Sequence, residues 1–269
     1  MNLRELVDER YLPHARRTLK PRTVAEYERL FLRTILPALG DRALGRLTLD
    51  AIEKWHAGMD APIEANRALA ALSAALTYAV DRRLLAANPA RGVHRNRESA
   101  KERFLTPDEC ARLLAAARAW KDPRARFVEL LLLTGARPGE LADAVAAWRD
   151  GAALRIPDGK TGARTIFLSA AACAVLSALP ARADGRLFPP DMDVRRAWER
   201  LASDAELTGV RLYDLRHTFA SSALAAGVPL DVIGRLLGHR KLQTTLRYSH
   251  LAADTALEGV ARAAERMGA

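Results

Sequence analysis

The chain has 269 residues and a hydrophobic content of 49%, enough for one large core or two smaller ones without disulfides or metals. Its formal net charge of +10 favours a polyanionic partner, either nucleic acid or an anionic membrane surface, although a basic surface can also serve solubility alone. No apolar stretch reaches the roughly 20 residues of a membrane span, the N-terminus lacks a signal-peptide core, and Cys110 and Cys173 are far apart. We therefore expect a cytoplasmic protein with no membrane association and no metal or redox site.

The first hundred residues show helical spacing of apolar residues, interrupted by short breaks. Helices are predicted over residues 22–39, 49–59 and 61–85. The last of these ends before Asn88-Pro89, because proline forbids continuation of the helix. No strand pattern occurs before residue 150, so residues 1–87 are expected to form an all-helical domain.

The periodicity disappears between residues 88 and 103, where the chain becomes strongly basic. Seven basic residues and only two glutamates lie between positions 82 and 103: Arg82, Arg83, Arg91, Arg95, Arg97, Lys101 and Arg103, against Glu98 and Glu102. A flexible basic linker over residues 88–103 suits contact with a phosphate backbone, and we expect these seven residues to bind DNA. The alternative is an ordinary solvated linker.

The second domain, over residues 104–269, begins at a capping box in which Thr106 precedes Pro107 and Glu109 lies three residues beyond the threonine. Helices are predicted over residues 107–119 and 124–134, and two short strands over 153–157 and 164–168. From residue 169 to the end the chain is again helical in pattern. The sequence thus predicts a mainly α protein of two domains, one all-helical and one mostly helical with a small β-hairpin.

Polar clusters interrupt the apolar pattern of this second domain. Arg137 lies in a tight turn after the very apolar Leu130–Leu133, and Glu140 is placed to hold its side chain. A guanidinium held in this way can contact two phosphate oxygens at once, although the pair can also be purely structural. Further along, Tyr213 and Arg216 have the spacing of one helix face.

A third cluster joins His239, which follows a helix-ending glycine, to Tyr248 nine residues later. A histidine or tyrosine alone is more often a packing residue than a catalytic one. The combination of helix end, histidine, fixed gap and tyrosine is much less common, which favours a functional interpretation.

Together these motifs resemble the tyrosine recombinase (phage integrase) family. Four segments match in order: TGARPGEL at 134–141, GKTGARTIFL at 159–168, DLRHTFA at 214–220 and LLGHRKLQTTLRYSHL at 236–251. The resemblance covers essentially the whole chain, since the first domain looks like the family's helical core-binding domain and the second like its catalytic domain.

The resemblance implies a role for each matching residue. Tyr248 matches the nucleophile, and Arg137 and Arg216 match the two arginines that bind the scissile phosphate. Lys160 matches the hairpin lysine that protonates the leaving oxygen, and His239 matches the phosphate-binding histidine. These residues are expected to cut and rejoin DNA through a 3′-phosphotyrosine, without ATP, metal or any other cofactor.

One position departs from the family pattern. Many members have a histidine three residues before the second arginine, where this chain has Tyr213. An ordinary phenol has a pKa of about 10 and is a poor base near neutrality, so Tyr213 is expected to bind or position the phosphate. His217, which matches a residue usual in the family, is expected to be structural, as is Glu140.

The resemblance also implies the partners. We expect double-stranded DNA, a monomer in isolation and a homotetramer on paired sites, with a partner recombinase or accessory protein left open. The last helix, about residues 253–267, is expected to pack on a neighbouring protomer, with packing on its own domain as the alternative. The chain starts directly with the first helical unit, which favours a simple recombinase of the Xer, transposon or small-integrase kind over one with an arm-binding domain.

Three other interpretations remain at this point. A type IB topoisomerase resembles the family in its catalytic residues and would relax supercoils without defined sites. A DNA-binding accessory protein with decayed catalysis is compatible with the departure at Tyr213, and a protein of the membrane surface is the most distant alternative.

Overall fold

The structure is a computed structural model, and it describes residues 1–98, 103–157, 162–239, 241–252, 260 and 264–268. The chain divides into two compact units, Met1–Ala100 and Lys101–Ala269. The loop residues 158–161, the predicted linker residue Lys101 and most of the predicted last helix lie outside the described residues.

The first unit is helical throughout, apart from one isolated bridge between Asn2 and Ala43 in its described part. Its α-helices are α1 (Leu3–Leu6), α2 (Leu12–Thr18), α3 (Pro21–Leu30), α4 (Leu36–Leu39), α5 (Leu49–Ala57) and α6 (Pro62–Asp81). Short 3-10 helices cover Leu44–Arg46 and Pro89–Gly92. The predicted helix over residues 22–39 is therefore α3 and α4, joined by a π-helical turn.

Two π-helical turns, Val7–Tyr11 and Phe31–Ile35, widen the helical path of this unit. Each is followed two residues later by a proline, Pro13 or Pro37. Proline has no N–H for the carbonyl four residues before it and its ring crowds that carbonyl, so the backbone widens there.

The core of the first unit is organised by α6, in which nine of the twenty residues are buried. Most of these are alanine and leucine, which allow α3 and the Phe31–Ile35 turn to approach closely. The helix ends four residues earlier than predicted, because Arg83 adopts a left-handed conformation at φ 58°. Arg82 and Arg83 therefore lie beyond the helix, exposed.

The start of the predicted flexible linker is packed on α6. Asn88 donates hydrogen bonds to the Ser73 carbonyl and the Thr77 hydroxyl, both at 2.9 Å. At the other end, Asn66 and Asn96 exchange two hydrogen bonds of 2.9 Å, from the backbone N–H of Asn96 and from the Asn66 side chain. With Val93 also buried, residues 88–98 follow a defined path along the first unit.

The second unit contains seven α-helices in its described part. They are α7 (Pro107–Ala119), α8 (Pro123–Thr134), α9 (Pro138–Ala142), α10 (Ala170–Ser177), α11 (Val194–Asp204), α12 (Asp214–Ala225) and α13 (Leu230–Leu237). The predicted capping box of α7 is confirmed, since Thr106 and Glu109 exchange side-chain to backbone hydrogen bonds. Helix α8 is buried on almost every side and contacts α7, α10, α11 and α12, so it is the central helix of the unit.

A three-stranded antiparallel sheet, with the order β1-β2-β3, lies in the second unit. Its strands are β1 (Arg149–Asp150), β2 (Ala153–Ile156) and β3 (Arg164–Phe167). The hairpin of β2 and β3 was predicted, whereas the expectation of no strand before residue 150 is wrong. A two-residue strand has no alternation to detect, and β1 exists only through its pairing with β2.

A small apolar cluster at the end of the chain is separate from the main core of the second unit. It consists of buried residues from α12, α13 and the 3-10 helix Leu246–Ala252: Ala220, Leu224, Ile233, Leu237 and Tyr248. The prediction of a mainly α fold with a small sheet is confirmed.

Candidate active site

Arg137 is held in a turn fixed by the end of the central helix. Helix α8 stops at Gly135, which adopts a left-handed conformation at φ 61°, and Arg137 then forms the N-cap of α9. The carboxylate of Glu140 accepts from the Arg137 guanidinium at 2.7 Å and from its backbone N–H at 2.9 Å. The guanidinium also donates to the Gly238 carbonyl at 3.2 Å, which links the turn to the end of α13.

Arg216, on α12, is buried with 3% of its surface exposed. Its Nη1 donates to the Gly135 carbonyl at 2.8 Å and its Nη2 to the Leu237 carbonyl at 2.5 Å. These carbonyls lie at the C-terminal ends of α8 and α13, where backbone oxygens lack helical partners and the helix dipole is negative. Two helix ends therefore fix the orientation of this guanidinium.

A third arginine, Arg164, occupies the same cluster and was not among the predicted site residues. It starts β3, its side chain is 7% exposed, and its Nη1 donates to the Leu237 carbonyl. Its Nη2 lies 3.6 Å from Glu140, and among the described residues Nε and Nη2 have no hydrogen-bond partner. The sequence could have indicated this position. Residues two apart in a strand share a face, and Ile166, two residues after Arg164, is fully buried.

The cluster carries an excess of positive charge in a buried setting. Arg137 and Arg164 lie beside the Glu140 carboxylate, and Arg216 is close enough to feel its charge, so three guanidinium groups share one carboxylate. Burial, followed by the charge of Arg137, lowers the pKa of Arg216 to about 10, and burial also lowers the pKa of Arg164. Both remain cationic near neutral pH, so the cluster is suited to bind an anion with preorganised donors.

His239 follows the left-handed Gly238 that ends α13. Its Nδ1 lies 2.8 Å from the hydroxyl of Thr245, a fully buried residue. Room for that hydroxyl depends on Gly234, where a Cβ would come within 2.9 Å of it. Burial first, and then the charges of Arg216 and Arg137, lower the pKa of His239 to about 4, so the ring is neutral in the free protein.

Tyr248 lies in the 3-10 helix Leu246–Ala252, with 4% of its surface exposed. Its ring packs in the small apolar cluster of α12 and α13. Its hydroxyl lies 2.7 Å from Nδ1 of His217, and the two ring centroids are 5.8 Å apart. The residue expected to be structural thus contacts the predicted nucleophile directly.

Tyr213 lies just before α12 and not within it, as the N-cap residue. It is 46% exposed, and its ring makes an edge contact with His217 at a centroid distance of 5.6 Å. Tyr213 is exposed whereas Arg216, three residues later, is buried, so the two side chains have different surroundings.

The remaining predicted residues fall into three groups: exposed arginines, one arginine in an ion pair, and two lysines outside the described residues. Arg82, Arg83, Arg91, Arg95 and Arg97 are exposed on the first unit, and Arg82 stacks over the Tyr78 ring at 5.3 Å. Arg103 is instead paired with Glu109 at 2.5 Å, at the start of the second unit. Lys101 and Lys160 lie outside the described residues.

Two features are absent from the described residues. None of their helices is both long enough and apolar enough to cross a membrane. Their histidine, cysteine, aspartate and glutamate side chains also form no group of three or more that could bind a metal ion.

The fold and the site define a class: a mostly helical unit in which buried arginines form a positively charged cluster, accompanied by a histidine and a tyrosine from neighbouring elements. Residues 103–255 match the family described as "Phage integrase family", and residues 3–59 match "Phage integrase, N-terminal SAM-like domain". The chain belongs to the phage integrase family, the tyrosine recombinases.

Curated relatives are similar at moderate identity. The chain is 30% identical to tyrosine recombinase XerC of Mycobacterium bovis, over 82% of this chain and 85% of that protein. It is 31% identical to the integrase of Escherichia phage P2, over 72% of this chain and 57% of that protein. The chain thus spans little more than half the length of the phage P2 relative.

Solved structures share the fold. A lambda integrase dimer bound to a COC′ core site has a TM-score of 0.77 at 20% identity, over 92% of this chain and 95% of that one. The Tn1549 transposon integrase in complex with circular intermediate DNA has a TM-score of 0.74 at 19% identity, with the same coverage.

Proposed function

We propose that this protein is a site-specific DNA recombinase that cleaves a DNA strand with Tyr248 and rejoins it to another strand. One observation carries the proposal. The guanidinium groups of Arg137 and Arg216 both bind backbone carbonyls at the end of α13, Arg216 also binds the carbonyl at the end of α8, and His239 directly follows α13 and its terminal glycine. Family membership supports the same reaction.

The arginine cluster supplies the first requirement of phosphodiester cleavage, which is stabilisation of negative charge on the phosphorus oxygens. Guanidinium groups already fixed by backbone carbonyls need little reorganisation when that charge develops. Their remaining N–H groups can bind the nonbridging oxygens in a forked geometry. His239, neutral in the free protein, adds a further donor through its ring.

The covalent step conserves the energy of the broken bond. The Tyr248 oxygen forms a bond to phosphorus, and the bond from phosphorus to the 5′ oxygen breaks, which leaves a 3′-phosphotyrosine and a 5′-hydroxyl. Lys160 gives a proton to the departing 5′ oxygen. Attack by a 5′-hydroxyl of another strand reverses the step, so we expect no ATP, metal or other cofactor.

Duplex DNA is the proposed substrate, bound in the cytoplasm by both units. The exposed arginines of residues 82–97 are the candidate contacts with the phosphate backbone. Strand exchange between two sites requires four active protomers, and the lambda integrase and Tn1549 integrase structures include DNA-bound forms. We propose a homotetramer on paired sites, with packing of the C-terminal helix on a neighbouring protomer.

Covalent trapping tests the proposal. Wild-type protein and the Tyr248→Phe variant are incubated with plasmids carrying sheared DNA from both flanks of the native gene, with chelator and without ATP. After denaturation, protein-linked DNA is isolated, the linkage is located by mass spectrometry, and the captured DNA is sequenced. The expected result is an adduct at Tyr248 in the wild type and none in the variant, which still binds DNA.

The alternatives give different outcomes in the same experiment. Relaxation of every plasmid without exchange between strands would indicate a topoisomerase-like enzyme. Salt-sensitive binding without any adduct would indicate an accessory protein whose catalysis has decayed. An adduct on a residue other than Tyr248 would overturn the assignment of the nucleophile.

A further inference from the structure

We propose that His217 is a catalytic residue that accepts the proton of Tyr248 as the phenol attacks, in place of the histidine missing at position 213. This inference rests on the proposed function and deepens it, because it assigns the proton acceptor of the cleavage step. Its starting point is the contact of 2.7 Å between Nδ1 of His217 and the Tyr248 hydroxyl.

The geometry is that of a nucleophile and its base. A base must lie within about 2.6–3.2 Å of the group that it deprotonates, and His217 meets this condition without any movement. His217 projects from α12, the helix that also carries the buried Arg216, so its position is tied to the arginine cluster. Tyr248 is 4% exposed, so little water competes for this hydrogen bond.

The charges around His217 keep the ring neutral and able to accept a proton. Burial first, and then the charge of Arg247, lower the pKa of His217 below its ordinary value of 6.5. Arg211 and Arg216 act in the same direction, whereas Asp214 opposes them. A neutral imidazole with Nδ1 unprotonated accepts the phenol hydrogen bond, and its Nε2 then carries the ring proton.

The side chain that replaces the family histidine packs against His217. Tyr213 makes an edge contact with His217 at a centroid distance of 5.6 Å, with the ring planes at 72°. This aromatic edge helps to fix the plane of the imidazole.

The proton is accounted for in both directions of the reaction. In cleavage, the Tyr248 proton moves to Nδ1 of His217 while the phenol oxygen bonds to phosphorus, and the 5′ oxygen leaves with a proton from Lys160. In rejoining, the incoming 5′-hydroxyl attacks phosphorus, its proton returns to Lys160, and the tyrosine oxygen leaves with the proton held on His217. No oxidant, reductant or further reactant is needed.

A first experiment tests the hydrogen bond without DNA. Nitrogen NMR of the full chain, labelled at its histidine rings, distinguishes a protonated from an unprotonated Nδ1. We expect Nδ1 of His217 to be unprotonated at pH 7.5 and its signal to shift in Tyr248→Phe. A protonated Nδ1 would make His217 the donor to the phenol and would overturn the proposal.

A second experiment measures the rate of adduct formation in a single turnover, on the DNA captured by the wild type, between pH 5 and pH 8. Asparagine at position 217 can replace Nδ1 as a hydrogen-bonding atom but cannot take a proton. We expect His217→Asn to form the adduct about 10²–10⁴-fold more slowly. The wild-type rate should fall at acid pH as His217 becomes protonated, and this dependence should be absent from the variant. Ser222→Ala, an exposed change on the same helix, serves as the control.

The outcomes separate this inference from the proposed function. If the wild type forms no adduct, the proposed function fails, and the NMR measurement still tests the hydrogen bond. If His217→Asn reacts at the wild-type rate with the same pH dependence, His217 only positions the phenol and the inference fails. A faster reaction in the variant would show that His217 restrains the phenol, which also contradicts it. Circular dichroism and DNA binding establish that the variant is folded.

Discussion

Arg164 and Arg216 donate hydrogen bonds to the same acceptor, the backbone carbonyl of Leu237. One arginine comes from the hairpin strand β3 and the other from helix α12, so a single oxygen atom joins three elements of the second unit. His239 lies two residues after Leu237, so the Arg164 hydrogen bond ties the hairpin to the same end of α13 that positions the histidine.

Substitution of Arg164 should impair cleavage without unfolding the protein. Arg164→Lys retains the charge but lacks the fork that reaches both the Leu237 carbonyl and Glu140. We expect cleavage to slow by about 10²-fold, similar to the loss of one preorganised donor. Single-turnover adduct formation measures this effect. Arg155→Lys, an exposed change on the neighbouring strand, is the control, and equal effects of the two changes would contradict the prediction.

The left-handed turn at Gly135 should tolerate no side chain. A Cβ there would lie 2.5 Å from the Phe219 ring, at a φ of 61° that L-residues rarely adopt. We expect Gly135→Ala to lose about 1–3 kcal/mol of unfolding free energy. Cleavage should also slow, because the displaced carbonyl is an acceptor of Arg216. Gly139→Ala, whose Cβ would meet nothing within 4 Å, should retain wild-type stability in urea unfolding.

Removal of either predicted phosphate-binding arginine should slow cleavage while DNA binding is retained. We expect Arg137→Ala and Arg216→Ala to bind DNA and to cleave it about 10²–10³-fold more slowly. Arg216→Ala should also lower stability, since it leaves two buried helix-end carbonyls without this donor. Binding isotherms and adduct formation on the same DNA measure the two effects. Wild-type cleavage by either variant would refute its assignment.

The buried neutral His239 should make stability depend on pH. In the unfolded chain its ring takes a proton as the pH falls through about 6.5, whereas in the folded protein it does so only near pH 4. Between these values the unfolded state binds more protons, so the unfolding free energy decreases as the pH falls. His217, whose pKa is also lowered, contributes in the same direction.

Urea unfolding at pH 7.5 and pH 5 measures this dependence. We expect the loss of stability at pH 5 to be smaller in His239→Asn than in the wild type. His94→Asn, a change at an exposed position, should behave as the wild type. An identical pH dependence in His239→Asn would mean that the ring takes up its proton at the same pH in the folded and the unfolded protein.

The basic segment should contribute to the salt dependence of DNA binding. The plot of log affinity against log salt has a slope of about −0.9 for each phosphate contacted. We expect the double change Arg95→Ala and Arg97→Ala to reduce the magnitude of this slope by about 2. Arg195→Ala and Arg196→Ala, exposed on α11, remove the same net charge and are the control. Equal reductions in both proteins would show a general charge effect and no contact by the segment.

Most of the fold could be predicted from local signals. The capping box at Thr106, the stop at Gly135 and the hairpin of β2 and β3 depend on residues that are close in sequence. The π-helical turns and the strand β1 could not be predicted in this way. The first depend on how the backbone accommodates Pro13 and Pro37, and the second depends on pairing with β2.

The candidate site shows the same division. Arg137 and Glu140 pair across three residues, so their contact could be anticipated from the sequence. Arg164 meets Leu237 across 73 residues and His217 meets Tyr248 across 31, and no local pattern reports such contacts. Arg164 lies two residues before the buried Ile166 in β3, so strand alternation could have placed its side chain on the buried face. For His217 the sequence offered only its place beside Arg216.

Apart from the Glu140 carboxylate, the acceptors that hold the arginines belong to the main chain, and this has a consequence for protein engineering. A main-chain oxygen is present whatever the side chain, so exchange of Leu237 for another apolar residue retains the acceptor. The conformation at Gly135 and Gly238 is what must be preserved. Libraries that diversify exposed residues for new target sites can therefore vary widely in sequence and still retain the reaction centre, provided that both glycines stay fixed.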